Sequence, residues 1–543
     1  MSKRCRRIKY ALVVMAYTVL LCGAGYDECF SAPRADAGER RAAMQVTADS
    51  VQIAVQTAAQ MAADSMQIAV QTAAQMAADG MQIAAQTSGM TDLTDAFSVI
   101  LQGATKEFIA GYAVDESFLM WLDTRFGDEV VMALADDVSE GRLDPQIWYE
   151  KTGSSIHVLW LMYCRDSGFQ EYRLATVYWK EAADPSQIVL GFTGDFNFAD
   201  DWCTMEYLKR QSGGIYDCFS EDLLEEMRGV DVMLLNNEFT YAKEGTVEPL
   251  SGKAYTFRAD PMTVPLLEAF GTDAVTLANN HVYDYGKEGL LDTMRYLREA
   301  DVPYLGAGED IEEASKILYY VVNGRKIAIV SATQIERVTK YTKEATETEP
   351  GVLKTLDPKY FLQLIRKADV NSDYVIAVVH WGTEGSLTPE HSQRVLAQKY
   401  ADAGADAVIG GHPHRLQGAA FVDGVPVAYS LGNFWFSDGT LYTTLAKVVI
   451  DSDGSLTLRY MPCEQRNLVT GILTEQEDVD GFYHYLAAIS TDVGMDAQGN
   501  VYDKMAADYP AEQIVYDSDT STTEVRGAVD NEGNAIDIVG NRK

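Results

Sequence analysis

The sequence predicts an α/β fold in which a layered β core is flanked by helices, with an N-terminal helical accessory region. From residue 187 to about 461, short apolar runs typical of strands alternate with stretches typical of helices. Side chains of metal-ligand type follow directly after five of these runs. The chain has 543 residues and an apolar content of 47%, which is sufficient for one large domain with appendages.

Seven apolar runs are predicted as strands: residues 188–193, 232–235, 274–278, 326–330, 374–379, 407–410 and 425–430. Residues 290–299 and 393–403 are predicted as helices between them. Parallel sheets present their active sites at the carboxyl ends of their strands. Polar residues that follow different strands are therefore expected to meet at one rim. These residues are Asp195, Asn197, Glu238, Asn280, His281, His380, His412 and His414.

The residue types at this rim predict a metal site. Asp195 and Glu238 offer hard oxygen ligands, and His380, His412 and His414 offer neutral imidazole nitrogens. A mixed oxygen and nitrogen set suits Mn²⁺, Zn²⁺ or Fe better than Ca²⁺ or Mg²⁺. The two histidines around one proline can share one face of an extended segment, and a turn after residues 410–411 can aim both rings into one cavity. Two divalent metal ions about 3.5–4 Å apart can share such a set through a bridging carboxylate.

His281 is the predicted acid/base residue, because it follows two asparagines and its unperturbed pKa lies near neutrality. Asp284 is the candidate partner that orients its ring, and a solvated turn residue is the alternative. Trp381 after the histidine at 380 either covers one wall of the site or packs in the core. The sequence leaves both pairs of alternatives open.

Residues 1–32 predict an export signal or membrane anchor, because five basic residues precede an apolar stretch from 10 to about 26. The protein is therefore expected to be extracytoplasmic, either secreted or anchored to the cell membrane by this segment. Membrane contact is expected through this segment only. The net charge of −36 argues against nucleic acid or anionic lipid as a partner.

Four further regions follow the export segment. Residues 33–90 carry a 15-residue repeat, which predicts either a helical stalk or a disordered linker. Residues 91–186 predict a mainly helical accessory region, with a substrate-selecting cap as the alternative. Residues 187–468 predict the domain that carries the site, and residues 469–543 a C-terminal extension that is partly disordered. Cys203 and Cys218 are close enough in sequence to pair outside the cell, although four cysteines allow three connectivities.

Six segments, in this order, resemble the motif set of the poly-gamma-glutamate capsule synthesis (CapA-type) family: residues 194–195, 236–238, 277–281, 380–384, 411–414 and 430–434. Residues 253–261 resemble the connecting segment of that family, and the similarity spans roughly residues 189 to 436. The family belongs to the calcineurin-like metallophosphoesterase superfamily. The resemblance implies a metallophosphoesterase-like layered β core and, by analogy, a dinuclear metal centre.

The resemblance also implies a role for each matching residue. Metal ligands are implied at Asp195, Asn280, His380, His412 and His414. Glu238 stands where the superfamily usually has a bridging aspartate, and His281 matches the catalytic histidine. Asn197 stands where the superfamily usually has a histidine ligand, and an amide carbonyl is a poorer ligand than imidazole. Asn237 replaces the usual leucine of the family motif, and nothing in the sequence explains that change.

The function that the resemblance implies is an exported, metal-dependent hydrolase of phosphoesterase type in capsule or cell-envelope polymer biosynthesis. Its cofactors would be two divalent metal ions. Its partners would be an envelope polymer or phosphoester substrate and capsule-synthesis membrane proteins. Two alternatives stay open at this point. One is a non-catalytic envelope scaffold or anchor, and the other is a metal-dependent amide hydrolase or transferase on polyglutamate.

Overall fold

A computed structural model of the chain describes residues 92–169, 176–334 and 341–519. The predicted export segment, the repeat region and the end of the C-terminal extension lie outside these residues. Within the three described stretches, no helix has both the length and the apolar character that crossing a membrane requires. The chain divides into two compact units, Met1–Ile156 and His157–Lys543.

The described part of the first unit is helical, as predicted. Its helices are α1 Leu93–Gly103, α2 Glu116–Phe126, α3 Asp128–Ser139 and α4 Gln146–Thr152. The Asp92 and Asp115 side chains cap α1 and α2 by accepting hydrogen bonds from backbone N–H groups of the first turn. Trp148 is fully buried and donates its Nε1–H to the Phe108 carbonyl oxygen at 2.8 Å. The next segment, 158–163, had an ambiguous pattern and lies within helix α5 Ile156–Asp166.

Among its described residues, the second unit is built on β-strands that form two large sheets and three small ones. The strands up to residue 308 are β1 Val177–Lys180, β2 Gln187–Phe196, β3 Val232–Asn237, β4 Thr240–Tyr241, β5 Arg258–Ala259, β6 Ala274–Thr276, β7 Tyr304–Leu305 and β8 Ala307–Gly308. The next are β9 Leu318–Val322, β10 Arg325–Thr333, β11 Gly351–Val352, β12 Tyr374–His380, β13 Ala407–Gly411, β14 Leu416–Val422, β15 Val425–Leu431 and β16 Asn433–Trp435. The last are β17 Leu441–Asp451, β18 Leu456–Arg466, β19 Val469–Ile472, β20 Val493–Met495, β21 Val501–Asp503 and β22 Tyr516–Asp517.

The first large sheet has the order β1-β9-β10-β12-β13-β15-β14, and the second has the order β19-β18-β17-β2-β3-β6-β7 with β16 paired to β2. Strands β10, β12, β13 and β15 run parallel in the first sheet, and β2, β3, β6 and β7 run parallel in the second. Every residue of β10 is buried. Burial on both faces explains why these strands read as continuous apolar runs rather than as alternating patterns.

The main core lies between the two sheets. Phe192 and Leu234 from the second sheet belong to one buried cluster with Ile327, Ile376 and Ile409 from the first sheet. Each of these side chains is at most 3% exposed, and burying one such side chain contributes about 1.5–3 kcal/mol. The two sheets therefore form the packed layers that the sequence predicts.

Helices of the second unit flank the two large sheets. They are α6 Cys203–Leu208, α7 Glu221–Arg228, α8 Gly286–Glu299, α9 Ile311–Ala314, α10 Lys359–Asp369, α11 His391–Ala403 and α12 Gln476–Ala488. Helix α10 buries Phe361, Leu364 and Ile365 at helical spacing beneath the first sheet. Leu223 of α7 and Leu290 of α8 pack in a separate cluster against the second sheet. The predicted α/β class, a layered β core with flanking helices, is confirmed.

The cysteine pairing that the spacing allowed does not form. The four cysteines among the described residues, Cys164, Cys203, Cys218 and Cys463, are free. The Cys218 thiol lies 3.8 Å from the Gly214 carbonyl oxygen, and Cys203 faces the Phe436 carbonyl oxygen at 4.0 Å. Cys218 belongs to the apolar cluster against the second sheet, and Cys203 lies beside it. Burial as small apolar side chains accounts for these two cysteines without a disulfide.

Candidate metal centre

The parallel register of the sheets brings the predicted rim residues together. In the second sheet, Asp195 at the end of β2 pairs with Asn236 at the end of β3. In the first sheet, His380 at the end of β12 pairs with Gly411 at the end of β13. The carboxyl ends of both sheets meet, because the Asn236 amide nitrogen lies 2.7 Å from Asp195 Oδ1 and 3.4 Å from His380 Nδ1.

Among the described residues, three groups of side chains at this rim have the spacing to hold a metal ion, and two of these groups share Glu238. One consists of Glu238, His380 and His412, and the other of Asp195, Glu238 and His414. The ligand atoms within each group lie within 4.8 Å of one another. Glu238 belongs to both groups, which is the arrangement that a bridging carboxylate between two ions requires.

The contacts in the first group place a fourth ligand beside it. His380 Nε2 lies 2.8 Å from Asn280 Oδ1, 3.1 Å from His412 Nδ1 and 3.2 Å from Glu238 Oε1. In the second group, His414 Nδ1 lies 3.2 Å from Asp195 Oδ2. The structure thus brings together Asn280 and the five acidic and imidazole ligands predicted from the sequence.

The environment of the Glu238 carboxylate shows whether these residues fit a cation. Its side chain is fully buried, and among the described residues neither carboxylate oxygen has a hydrogen-bond partner. Burial raises the pKa of Glu238 well above its usual value, and the nearby charges of Asp195 and Glu384 raise it further. A buried carboxylate without partners is costly, and a divalent ion supplies the missing interaction. The donor set and this orphaned carboxylate therefore fit a metal ion.

The environment shifts the pKa values of the His380 and His414 imidazoles in opposite directions. Burial lowers the pKa of His380 to about 3, which keeps its ring in the neutral form that binds metals. Burial also opposes the charged form of His414, but its contact with Asp195 outweighs this effect and raises the His414 pKa. Burial disfavours ionised Asp195, yet the His414 contact lowers the Asp195 pKa overall. Protons and metal ions compete for the electrons of this pair.

A strained turn, rather than an extended segment, presents the two histidines after β13. His412 has a φ of 96° and His414 a φ of 55°, in the left-handed region that non-glycine residues rarely adopt. Such conformations cost on the order of 1–3 kcal/mol each and are typical of functional sites. His414 is held by Asn433 Oδ1 at 2.8 Å and by the Phe436 ring, whose centroid is 4.5 Å away. The turn that the sequence predicts after residues 410–411 is therefore present, whereas the extended segment is not.

Asn197 is placed differently from the other predicted ligands. It is fully buried, and its amide oxygen accepts a hydrogen bond from the Ala199 N–H at 2.8 Å. Its Nδ2 group has no hydrogen-bond partner among the described residues. The local turn occupies one lone pair of the oxygen, so only the second lone pair is left for a metal. Metal ligation by Asn197 stays a prediction.

His281 is fixed by a buried network. Asp284 is fully buried, and its Oδ2 lies 2.8 Å from His281 Nδ1, so Asp284 is not a solvated turn residue. The Lys253 ammonium forms an ion pair with the other oxygen of Asp284 and donates to the Asn280 carbonyl oxygen at 2.6 Å. Burial lowers the pKa of His281, the Asp284 charge opposes that shift, and Lys253 adds to it. Lys253 thus links the residue before His281 to the carboxylate that orients the His281 ring.

Sequence reasoning missed several residues of this site. Lys253 lies on an irregular loop, where no periodic pattern indicates a role. Glu384 is exposed, yet its carboxylate is within 4.8 Å of ring nitrogens of His412 and His414. Its position four residues after β12 was the available signal. Trp381, by contrast, is a core residue, because it is fully buried and donates to the Tyr429 carbonyl oxygen at 2.8 Å.

A chain of asparagines also braces the ligands. Asn236 donates to Asp195, and Asn279 donates to Asn236 Oδ1 at 3.1 Å. Asn279 Oδ1 in turn accepts from the backbone N–H of His281 at 3.0 Å. Asn237, which replaces the family's leucine, is buried and donates to the Phe239 carbonyl oxygen at 2.9 Å. The asparagines therefore connect the Asp195 carboxylate to the His281 backbone.

Comparison with known proteins finds matches to the part of the chain that carries this site. Residues 189–438 match the family model of the bacterial capsule synthesis protein PGA_cap. The capsule biosynthesis protein CapA of Bacillus anthracis is 34% identical over 237 residues, which are 42% of this chain and 55% of that protein. The PGA biosynthesis protein CapA of Bacillus subtilis (strain 168) is 35% identical over 204 residues, which are 37% of this chain and 52% of that protein.

The matches have a limited extent. They span about half the length of these two relatives. A solved 5'-nucleotidase from Candida albicans SC5314 is 10% identical, and the match covers 53% of this chain and 52% of that chain with a TM-score of 0.29. The matches to the family model and to the two CapA proteins confirm the resemblance to the CapA-type family, which residues 189–438 carry.

Proposed function

We propose that this chain is a metal-dependent hydrolase of phosphoesterase type that acts in capsule or cell-envelope polymer biosynthesis. The observation that carries the proposal is Glu238, a buried carboxylate without hydrogen-bond partners among the described residues that belongs to both candidate metal groups. A purely structural buried glutamate would be hydrogen-bonded or replaced by an apolar residue. The names of the Bacillus relatives support capsule or PGA polymers as the context.

The proposed centre holds two divalent ions. Asp195, Glu238 and His414 would hold one of them, while Glu238, Asn280, His380 and His412 would hold the other. Mn²⁺, Zn²⁺ or Fe suits this mixture of oxygen and nitrogen donors. When bound, such ions supply Lewis acidity, which lowers the pKa of water and neutralises charge on phosphoryl oxygens.

Residues of the chain itself would transfer the proton to the leaving oxygen. His281 Nδ1 faces Asp284, so the Nε2 atom is the ring nitrogen that can face a substrate. In this role His281 takes a proton from water at Nε2, and the protonated ring then donates a hydrogen bond to the leaving oxygen and transfers that proton to it. Lys253 and Asp284 keep the ring in one orientation, as outer partners of active-site histidines generally do.

The location and partners of the protein are part of the same proposal. The basic residues and apolar stretch of the N-terminal segment support export, with the catalytic domain outside the cytoplasm. An envelope polymer or its phosphoester precursor would be the substrate, and capsule-synthesis membrane proteins would be the partners. Protease treatment of intact cells tests the location, because a cytoplasmic domain would resist digestion.

The decisive experiment combines metal analysis with substrate comparison. Purified protein supplied with Mn²⁺, Zn²⁺ or Fe²⁺ is expected to hydrolyse phosphodiesters or phosphomonoesters, and a chelator is expected to abolish this activity. The variant His281→Ala is expected to keep both ions and to lose about 10²–10⁴-fold in kcat. His391→Ala, which changes an exposed histidine at the start of α11, serves as the matched control.

Other outcomes would favour the alternative functions. Protein that binds no metal and hydrolyses no phosphoester would be the envelope scaffold. Cleavage of polyglutamate with phosphoesters untouched would identify the amide hydrolase. Metal content by elemental analysis and product detection by chromatography separate these three results.

Lys253→Met is expected to lower kcat by about 10–100-fold, which is the usual effect of removing an outer partner of a metal-site histidine. The methionine keeps the bulk of the side chain but removes the contacts to Asp284 and Asn280. Metal content should stay unchanged, and this distinguishes loss of orientation from loss of ligands. Lys447→Met is the control, because Lys447 is also buried and paired, with Glu226. An equal loss of kcat in both variants would contradict a positioning role for Lys253.

A further inference from the structure

A continuous run of aromatic rings leads from solvent to the candidate metal centre. We call it the aromatic ladder, and it consists of Tyr255, Trp202, Phe257 and Phe436. The ring centroids of Trp202 lie 6.0 Å from Tyr255, 4.9 Å from Phe257 and 6.4 Å from Phe436. Phe257 and Phe436 are 5.5 Å apart and nearly perpendicular. These separations are those of interacting aromatic pairs.

The inner end of the ladder touches the site. The Phe257 ring centroid is 4.4 Å from that of His281, and the Phe436 ring centroid is 4.5 Å from that of His414. Both phenylalanines are buried. The ladder therefore contacts the proposed proton-transfer residue and one proposed metal ligand at the same time.

The outer end of the ladder is open to solvent. Tyr255 is 60% exposed, and Trp202 is partly exposed. Trp202 is also fixed in place, because its Nε1–H donates to the Phe436 carbonyl oxygen at 2.5 Å. Single exposed aromatic residues are ordinary, but here the exposed ring continues a run that ends at the site. An immobilised aromatic surface of this kind offers a face on which another ring can stack.

The charges around the ladder indicate which ligands it can take. Asp438 and Glu206 lie close enough to raise the pKa of Cys203, the residue after Trp202, in addition to the larger effect of burial. The nearby cations are already engaged, Arg258 with Asp200 and Lys253 with Asp284. An anionic chain would meet carboxylates here, while Arg258 and Lys253 are held by their own carboxylate partners. An uncharged ring has no such penalty, and the carboxylates can accept hydrogen bonds from its hydroxyl groups.

We propose that the aromatic ladder is the leaving-group subsite of the centre, and that it selects phosphoesters whose alcohol carries an uncharged ring, either a sugar or an aryl group. This inference rests on the proposed phosphoesterase function. In the reaction, the oxygen of water bonds to phosphorus and the bond from phosphorus to the alcohol oxygen breaks. The ring alcohol leaves with a proton, and phosphate is the other product. Stacking on Tyr255 and Trp202 would hold the ring while this exchange takes place.

Three primary alkyl phosphates test the subsite, because they differ in the group beyond the reacting CH₂–O–P unit: benzyl phosphate, glucose 6-phosphate and glycerol 3-phosphate. The wild-type protein is expected to prefer at least one ring compound over the acyclic one in kcat/KM. Tyr255→Ala is expected to reduce this preference about three- to tenfold, mainly through KM. Tyr360→Ala is the matched control, because Tyr360 is 58% exposed on α10 and belongs to no part of the ladder.

The outcomes separate this inference from the proposed function. Hydrolysis of all three compounds without a ring preference, or an equal loss for all three in Tyr255→Ala, would overturn the subsite and leave the phosphoesterase standing. If the protein hydrolyses none of them, the subsite is tested by the dissociation constants of the same three compounds, measured by calorimetry. Ring-selective binding that Tyr255→Ala weakens would support the subsite while the proposed function fails, and absent or unselective binding would overturn the subsite. Comparing benzyl phosphate with glucose 6-phosphate in kcat/KM, or in dissociation constant, shows whether an aryl or a sugar ring is preferred.

Discussion

Replacing Glu238 with glutamine is expected to abolish tight binding of at least one metal ion and to lower phosphoester hydrolysis by about 10³-fold. Glu238 is the carboxylate that both candidate metal groups share, so its loss removes a charge from both. A metal centre contributes several kcal/mol to charge stabilisation in the transition state, and each 1.36 kcal/mol is a factor of ten in rate. Elemental analysis of the purified variant and steady-state kinetics measure the two effects.

The same variant distinguishes a ligand from a structural residue. Without metal, Glu238 is a buried acid with no hydrogen-bond partner among the described residues, so removing its charge should not destabilise the fold. Metal-free Glu238→Gln is therefore expected to unfold at a temperature no lower than the metal-free wild type. Glu312→Gln, at an exposed position on α9, is the control for metal content and activity. Full metal content and normal hydrolysis in Glu238→Gln would contradict the proposed centre.

Gly194→Ala is expected to lower the free energy of unfolding by about 3 kcal/mol or more and to weaken metal binding. A Cβ atom at this position would lie 1.9 Å from the Gly432 carbonyl oxygen and 3.0 Å from that of Leu431. Both neighbours are backbone atoms, so the strands themselves must separate, and overpacking typically costs about 1–3 kcal/mol. Asp195 donates its N–H to the same Gly432 oxygen at 2.9 Å, so the displacement reaches a proposed ligand.

Denaturant titration measures the loss of stability, and calorimetric metal titration measures the loss of affinity. Gly439→Ala provides the control, because the nearest atom to its added Cβ would be 3.8 Å away. That substitution is expected to change the unfolding free energy by no more than about 0.5 kcal/mol. If Gly194→Ala behaved like Gly439→Ala, the close packing of β2 against the segment before β16 would be wrong.

The sequence predicted most of the fold because its strands are buried on both faces. Such strands read as short apolar runs that stand out from the helices, as residues 374–379 do before His380. The position of a polar residue at the end of a run then predicted the rim without any knowledge of strand order. Strand order, the separation into two sheets and the antiparallel additions such as β17 depend on long-range pairing, which apolar runs do not encode.

The site was predictable where its residues follow strands, and unpredictable where loops supply them. Lys253 reaches Asp284 across 31 residues of sequence, and nothing in its local pattern indicates that contact. The hydrogen bond from Ala199 to the side chain of Asn197 is a property of the turn geometry rather than of the motif. Phe257 and Phe436 join the site from two separate loops, so the ladder emerges only from the tertiary structure.

The left-handed turn after β13 has a wider consequence. A glycine at position 412 or 414 would adopt the observed backbone with little conformational penalty, whereas histidine does so only under constraint. Selection for folding stability alone would therefore favour glycine over histidine at both positions. Histidine at both places therefore puts backbone strain at the proposed metal ligands themselves.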